Sequence, residues 1–578
     1  MNLLDLLRQR FFQALDGWVA DPATPAALVK PATDSKFGDY QANAAMGLAK
    51  VLGKQPRQVA QELVDRLKID DILEKPEIAG PGFINLKFRS DWLAKQLSAA
   101  AQNDRIGIAK VANPGRYIID FSSPNVAKPM HVGHLRSTIL GESLSRLLRF
   151  LGHEVITDNH LGDWGTQFGI LIYGFRTKVD PAKFEVNPVA ELARLYVDIR
   201  KEFREEDEEN PTDPVQQACR LETAKLHQGD AENLELWNRF MPFCLAEIDQ
   251  VYRRLDVHFD HIKGESFYQP MLAEVVRDLL AQGIATETQG AVGVFLVEAG
   301  PPTLIRKKDG AFTYTTSDLA TIDYRIKEWN PTDILYVVDH RQSYHFQNLF
   351  ETAKRWGRTQ ARLTHVSFGS VLGPDRKPIK TRDGKAVASL DQLLDESVQM
   401  AGEIFDNNKA EDADPATRPA VTEAVGIGAV KYADLSQNRT TDYVFSWEKM
   451  MAMDGNTSTY MQYAYARCQS ILRKAGVDEH SIDTKAAILL NTPEERALAI
   501  QLLRMEETLL AAAADYRPNI ITSYLWDLAK AYSVFFQNCP VLKAPAELLP
   551  GRLILCHLVA KSLKLGLHLL GIQVIERM

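Results

Sequence analysis

His131 and His134 stand three residues apart in "SSPNVAKPMHVGHLRST", residues 122 to 138, with Lys128 just ahead of them and Gly133 between them. Such a pair suits metal binding, proton transfer or the holding of a phosphate. Zinc needs three or four ligands, and no third one lies nearby in the sequence. Phosphate is the better partner: a helix start favours an anion, and Lys128 adds positive charge. Gly133 has no side chain to obstruct a flat ring. The plainer alternative is that the two histidines only cap a helix.

The flanks explain why a helix starts there. "YIIDFSS" is a short apolar run of strand type, and "HLRSTILGESLSRLLRFLG" places Leu135, Ile139, Leu144, Leu147 and Leu151 at helical spacing. Gly152 supplies a stop, and "HEVITD" is a second strand. Strand, helix, strand predicts a βαβ unit of a parallel sheet, with the histidine turn at the carboxyl edge where such sheets bind ligands. Further along, "SDLATIDYRIKEW" reads as helix, and "DILYVVD" and "THVSFGS" as buried strands.

At 578 residues the chain exceeds one core, and roughly 150 residues per domain gives three or four units. Residues 1–108 read as a small α+β domain that contains the turn-bounded strand "GPGFINLKF". Residues 109–390 carry a Rossmann-type parallel α/β pattern, interrupted from about 170 to 310 by an insertion. Its acidic block "REEDEENPTD" reads as an exposed loop. Residues 391–457 form a connecting helical region, and 458–578 read as an all-α domain with Ile521, Leu525, Leu528, Tyr532 and Phe535 in one buried stripe.

The net charge of −8 argues against a uniformly basic nucleic-acid coat, although residues 458–578 carry about +2 against about −10 for the rest. The opening "MNLLDLLRQRFFQALDGWVA" is interrupted by Asp5 and Asp16 and lacks a small-residue cleavage site, so it is not expected to be a signal peptide. With no charge-free run of about 18 residues, no membrane span is expected. Cys219, Cys244, Cys468, Cys539 and Cys556 show neither disulfide-framework nor zinc spacing, as suits a reducing cytosol.

The "HVGH" turn after a strand, with "SPN" ahead of it, resembles the HIGH signature of class I aminoacyl-tRNA synthetases. Together with "DNHLGDWGTQFG" at 158–169 and the tail "LGIQVIERM", it resembles the arginyl-tRNA synthetase family over essentially the whole chain. The resemblance implies that His131 and His134 stabilise the pentacoordinate phosphate during adenylate formation and that Gly133 lets adenine approach. ATP would arrive with Mg2+ as cosubstrate, with no dedicated protein metal site. The second signature of the class, KMSKS, departs here: "GPDRKPIKTRDGK" at 373–385 has Pro378 and Thr381 where the two lysines would stand. Lys380, Arg382 and Lys385 keep the segment cationic, and in the family a lysine before HIGH substitutes, a place that Lys128 occupies.

A guanidinium ligand needs planar, partly buried acceptors, ideally carboxylates. "FTYTTSD" sets Tyr314 and Asp318 four apart, on one face if a helix begins there, and Asp120 closes "YIID" at the same sheet edge. A variant capping box by Thr315 and Asp318 is the bland alternative. The resemblance implies that Tyr314, Asp318 and Gln342 of "DHRQSYH" bind arginine, with Ser123 and Asn125 on its α-amino and carboxylate groups.

For unpaired bases, aromatic residues beside a cation are the feature to seek, and "TYMQYAYARCQSILRKA" places Tyr460, Tyr463 and Arg467 on one helical face. Such a stripe is otherwise core. The resemblance assigns it, with Met578, to the anticodon, and assigns Phe83 and Asn85 of "PGFIN" to a D-loop base. It implies L-arginine, ATP and tRNA(Arg) as substrates, activation that needs bound tRNA, and a cytoplasmic monomer with no membrane partner. Two other readings are a different class I nucleotidylyltransferase, which would lack the C-terminal helical domain, and a catalytically silent tRNA-binding paralogue, which would have lost the histidines or pocket residues.

Overall fold

The computed structural model describes residues 2–203, 213–296, 301–373, 376–377, 389–407, 415–478 and 481–577. Lys380, Arg382, Lys385 and Met578 therefore lie outside the described residues.

At the centre is a parallel sheet of β1 (Arg116–Asp120), β2 (Glu154–Asn159), β3 (His261–Ile262), β4 (Asp333–Tyr336) and β5 (Arg362–His365), in the order β5-β4-β1-β2-β3. Ile118 and Ile119 of β1 are both fully buried, so the strand is covered on both faces, as parallel sheets require. The strand order reverses at β1. The connections from its two sides diverge and leave a crevice at the carboxyl ends, where register sets Asp120 between Asp158 and Tyr336.

The predicted helix, α1 (Val132–Leu151), joins β1 to β2 and ends at Gly152 with φ 100°. Leu135, Ile139, Leu144, Leu147 and Leu151 are all buried. A Cβ on Gly141 would lie 2.1 Å from the Phe121 ring, so α1 rests directly on the chain leaving β1. That contact fixes the helix start relative to the sheet edge.

The N-terminal domain is α+β, with a four-stranded antiparallel sheet of Val29–Pro31, Tyr40–Ala42, Phe83–Leu86 and Glu77–Ala79. The insertion is mainly helical and adds a small antiparallel sheet of Thr286–Thr288, Ala291–Val294 and Thr303–Arg306. Most of its acidic block lies outside the described residues, but Asp213 departs from the exposed-loop reading. It is buried and caps the helix Pro214–His227 by accepting from the amides of Val215 and Gln216.

The connecting region holds the helices Leu390–Asn407 and Arg418–Leu435, and also a strand, Tyr443–Val444, that pairs in parallel with Val371–Leu372. That strand is a departure from the all-helical expectation, because its partner is distant in sequence. From Ser458 onward the described elements are helices, and the Ile521, Leu525, Leu528, Tyr532, Phe535 stripe is buried. No described helix is long and apolar enough to cross a membrane. All five cysteines are buried and free.

Candidate active site

After β1 the backbone turns through two successive non-glycine residues in the left-handed region, Ser122 (φ 70°) and Ser123 (φ 46°). Each costs on the order of 1–3 kcal/mol unless its surroundings over-determine it. They do so here. The Ser122 amide donates to Ser137 Oγ (2.8 Å), and its hydroxyl meets Thr138 Oγ1 and the Tyr252 hydroxyl, each at 2.8 Å. The Ser123 amide donates to Asn159 Oδ1 (3.1 Å), and its hydroxyl to Asp120 Oδ1 (3.0 Å). Asn125 follows, with its Oδ1 held by a short contact from Gln167 Nε2. The two residues expected to hold the amino acid's backbone groups are thus locked from the "DNHLGDWGTQFG" segment, through Asn159 and Gln167.

The histidine turn forms the helix cap of the plainer sequence reading. His131 Nδ1 accepts from the Gly133 amide (3.0 Å), and His134 Nδ1 accepts from the His131 amide (3.1 Å), a reciprocal capping box at the start of α1. An accepting Nδ1 fixes the neutral tautomer with its proton on Nε2. Capping therefore leaves each ring an Nε2–H donor for an anion. Partial burial and Lys128 lower the His131 pKa; burial, then His131, lowers that of His134 to about 4. Both rings are neutral donors at pH 7, 4.0 Å apart between centroids. A Cβ on Gly133 would meet the His131 ring at 2.7 Å, so this glycine is required by the cap itself, besides any approach of adenine.

Lys128 lies over the Tyr196 ring of the insertion at 5.1 Å, within electrostatic reach of both histidines. Described residues on either side of the segment at the second-signature position, and Thr441 of the connecting region, contact α1 and the residues just before it. Leu390 donates its amide to the Met130 carbonyl (2.7 Å), and Arg136 of α1 donates to the carbonyls of Gly369 (2.6 Å) and Thr441 (3.1 Å). A buried ion pair of Arg136 with Asp434, 3.1 Å, holds that guanidinium in place.

Asp120 is buried, and its Oδ2 accepts from Arg325 (2.7 Å), whose guanidinium also reaches Asp158 Oδ2 (2.9 Å). Two carboxylates on one buried cation leave the floor of the crevice acidic. Burial raises the pKa of Asp158 and Asp163, and pushes that of Glu265 up to about 7.

The helix α2 (Tyr314–Trp329) starts at Tyr314, three residues ahead of the run read as helix, which meets the condition for Tyr314 and Asp318 to share a face. Thr313 is its N-cap and makes no side-chain cap bond, so the Thr315–Asp318 capping box is not formed. Instead Asp318 Oδ2 takes a 2.6 Å bond from His345 Nε2 on α3 (Ser343–Arg355). Tyr314, 76% exposed, and Gln342, also exposed, sit at the surface near the start of α2 and just before α3.

Tyr460, Tyr463 and Arg467 share the outer face of the helix Ser458–Lys474, whose buried face carries Met461, Ala464, Tyr465, Cys468, Ile471 and Leu472. Tyr463 is 40% exposed, Tyr460 packs edge-on against Trp526, and the Arg467 guanidinium covers Phe536 at 3.8 Å. The core alternative therefore fails for Tyr463. The tail links this helix to α1: Ser143 Oγ donates to the Leu569 carbonyl (2.9 Å), Gln462 Nε2 to that of Gln573 (2.8 Å), and the Tyr465 hydroxyl to Glu576 Oε1 (2.7 Å). In the N-terminal domain, Phe83 is half-buried and Asn85 is buried, its Oδ1 accepting from Gln41 Nε2 (2.8 Å).

Sequence reasoning missed Arg325, Asp158, Glu265, Tyr252 and His345, whose partners are remote in the chain. Only His345 carried a local hint, a histidine three residues beyond Gln342.

Comparison with known proteins adds to this geometry. The family described as "tRNA synthetases class I (R), catalytic domain" matches residues 96–447. "Arginyl tRNA synthetase N terminal domain" matches 5–88 and "DALR anticodon binding domain" matches 461–578. An arginine–tRNA ligase of Rhodopirellula baltica is 43% identical with all of both chains covered, and so is that of Cellvibrio japonicus. The crystal structure of an arginyl-tRNA synthetase from Plasmodium falciparum superposes with TM-score 0.82 and 28% identity, over 99% of this chain and 98% of that one. That of Thermus thermophilus gives 0.81 and 25%, with both chains fully covered.

Proposed function

This chain belongs to the class I arginyl-tRNA synthetase family, and from that premise we infer that it is an arginine–tRNA ligase. It activates L-arginine with ATP to arginyl-adenylate and transfers the arginyl group to the 3′ end of tRNA(Arg). The observation that carries this is 43% identity to arginine–tRNA ligases with the full length of both chains covered.

In the first step the arginine carboxylate oxygen bonds to the α-phosphorus in line, and the bond to the β-phosphate breaks to release pyrophosphate. The Nε2–H groups of His131 and His134 donate to the charge that builds on the phosphate, Lys128 supplies positive charge for the pyrophosphate, and Lys380 and Arg382 keep the later segment cationic. Mg2+ comes with the triphosphate and supplies charge neutralisation there. Among the described residues, no group of three or more His, Cys, Asp or Glu side chains is placed to hold a metal ion. Asp318, Tyr314, Gln342 and Asp120 receive the arginine side chain, and Ser123 and Asn125 its α-amino and carboxylate groups; the acidic crevice floor favours that cation. In the second step a terminal ribose hydroxyl attacks the acyl carbon, loses its proton, and AMP departs.

Tyr460, Tyr463, Arg467 and Met578 meet the anticodon, and Phe83 and Asn85 a D-loop base. The tail contacts that run from the Ser458–Lys474 helix to α1 support activation that senses bound tRNA. The enzyme acts in the cytoplasm, a reading that five buried free cysteines support, and as a monomer, which rests on the family resemblance alone. ATP–pyrophosphate exchange with each of the twenty amino acids, with and without total tRNA, tests the function. Exchange with arginine alone and only with tRNA is expected; exchange with another amino acid, or none at all, would overturn it.

A further inference from the structure

We propose that His345 is a positioning residue for the arginine side chain, and that its ion pair with Asp318 makes arginine capture release a proton. The inference rests on the reading of Asp318 as a guanidinium acceptor.

His345 and Asp318 lie on different helices and meet at 2.6 Å, with side chains only 28% and 26% exposed. The imidazole is itself fixed, edge-on against Phe346, which also stacks on His365 at 4.5 Å and packs against Tyr336 and Phe350. It therefore sets the orientation of the carboxylate. The hydrogen bond that His345 Nε2 makes to the Asp318 carboxylate raises the His345 pKa above the ordinary imidazole value, which favours the imidazolium in this pair.

A guanidinium that docks on the same carboxylate brings a second cation against it, in a place with little water to screen the two. The balanced exchange is simple. The Nδ1–H bond of His345 breaks and its proton passes to solvent, while the neutral ring keeps donating through Nε2–H to Oδ2. The carboxylate is neutralised by one cation before and after, first imidazolium and then guanidinium.

The other charged groups around this pair are few among the described residues. His365 on β5 faces it through Phe346 and is held neutral mainly by burial, with its Nε2 on the Val338 carbonyl at 3.0 Å; Arg439 and Asp339 act on His365 from beyond. Glu265, the first residue of the helix Glu265–Tyr268 within the insertion, interacts with Asp318, and its pKa is pushed up to about 7, so its ionisation also favours a cation. The two contributions have the same sign: arginine affinity rises as pH rises above about 6.5, and levels once both groups have lost their protons.

The test is calorimetric titration of L-arginine into the full-length enzyme at pH 7 in two buffers of different ionisation enthalpy. Arginine KM in tRNA charging from pH 6.0 to 8.5 accompanies it. Wild type should release protons on binding, with KM falling about ten-fold across the range. His345→Gln keeps a donor to Asp318 but cannot titrate; it should release fewer protons and give a shallower KM profile, whereas E265Q should keep the His345 share. No release by wild type, or equal release by H345Q, would overturn the proposal. If H345Q does not fold, E265Q decides, since complete loss of release there assigns the proton to Glu265. An enzyme that fails to charge tRNA with arginine defeats the functional reading instead, so the two failures are distinct.

Discussion

Arg496 holds Asp39 through two parallel hydrogen bonds of 2.8 and 2.6 Å, across 457 residues of chain. The same carboxylate accepts the Phe88 amide (2.7 Å), Arg496 also donates to the Phe88 carbonyl (2.8 Å), and next door the Tyr40 hydroxyl donates to Glu507 (2.8 Å). These contacts latch the N-terminal domain to the C-terminal helices, and the following residue, Gln41, grips Asn85.

Asp39→Ala should therefore cost about 2–4 kcal/mol, because it leaves a largely buried guanidinium unpaired. It should also raise the tRNA KM more than it lowers kcat. Denaturant unfolding and charging kinetics measure the two, and a charge-exchanged D39R/R496D pair should recover part of both. An unchanged tRNA KM would mean that the latch has no part in tRNA placement.

Asp318→Ala removes the carboxylate proposed for the guanidinium. Loss of a charge-assisted pair is worth about 2–3 kcal/mol, so arginine KM should rise on the order of 30- to 150-fold while ATP KM stays within a few-fold. Steady-state charging at varied arginine checks it.

His134→Ala should lower the exchange rate about a hundredfold or more, the usual effect of losing one donor to transition-state charge. Stability gives a second signature. The folded-state pKa of about 4 lies below the ordinary 6.5, so the unfolded chain binds the proton more readily between those values. That contribution is present above pH 6.5 and fades as pH falls toward 4. Unfolding midpoints at pH 7 and 5 should differ less in His134→Gln than in wild type.

Tyr463→Ala tests the outer face of the Ser458–Lys474 helix, proposed to meet the anticodon. Loss of one stacking partner should raise tRNA KM about ten-fold, since such stacks are worth about 1–3 kcal/mol, with little change in melting temperature for an exposed side chain. A marked fall in melting temperature with unaltered tRNA KM would return the residue to a packing role.

Gly141→Ala puts a methyl group 2.1 Å from the buried Phe121 ring, and overpacking of this kind costs about 1–3 kcal/mol. Because α1 would have to lift from the strand exit, exchange activity should fall by more than the stability loss explains. Activity measured well below the melting temperature separates the two effects.

The turn from β1 into α1 was legible in the sequence because its determinants are local: an apolar run, a helical period and a terminal glycine. The body of α2 was legible from Ser317 onward, whereas its first turn at Tyr314 was not, since that turn has no side-chain cap to mark it. What the sequence could not disclose is who meets whom. Arg325 reaches Asp120 across 205 residues, and Arg136 reaches Asp434 across 298. Such pairs depend on which helix faces lie over which strands, which no local period encodes. Capping at His131 and His134 does not compete with the phosphate role proposed for them, because it uses Nδ1 and leaves Nε2 free to donate, a distinction no sequence carries.

Arg136 ties three separate stretches of chain to α1: it donates to the main-chain oxygens of Gly369 and Thr441 and pairs with Asp434 of the helix Arg418–Leu435. The strand pair Val371–Leu372 and Tyr443–Val444 lies just beyond two of those contacts. One guanidinium is thus a mechanical junction, and its loss would loosen the helix that carries the histidine turn, the paired strands and the connecting region together.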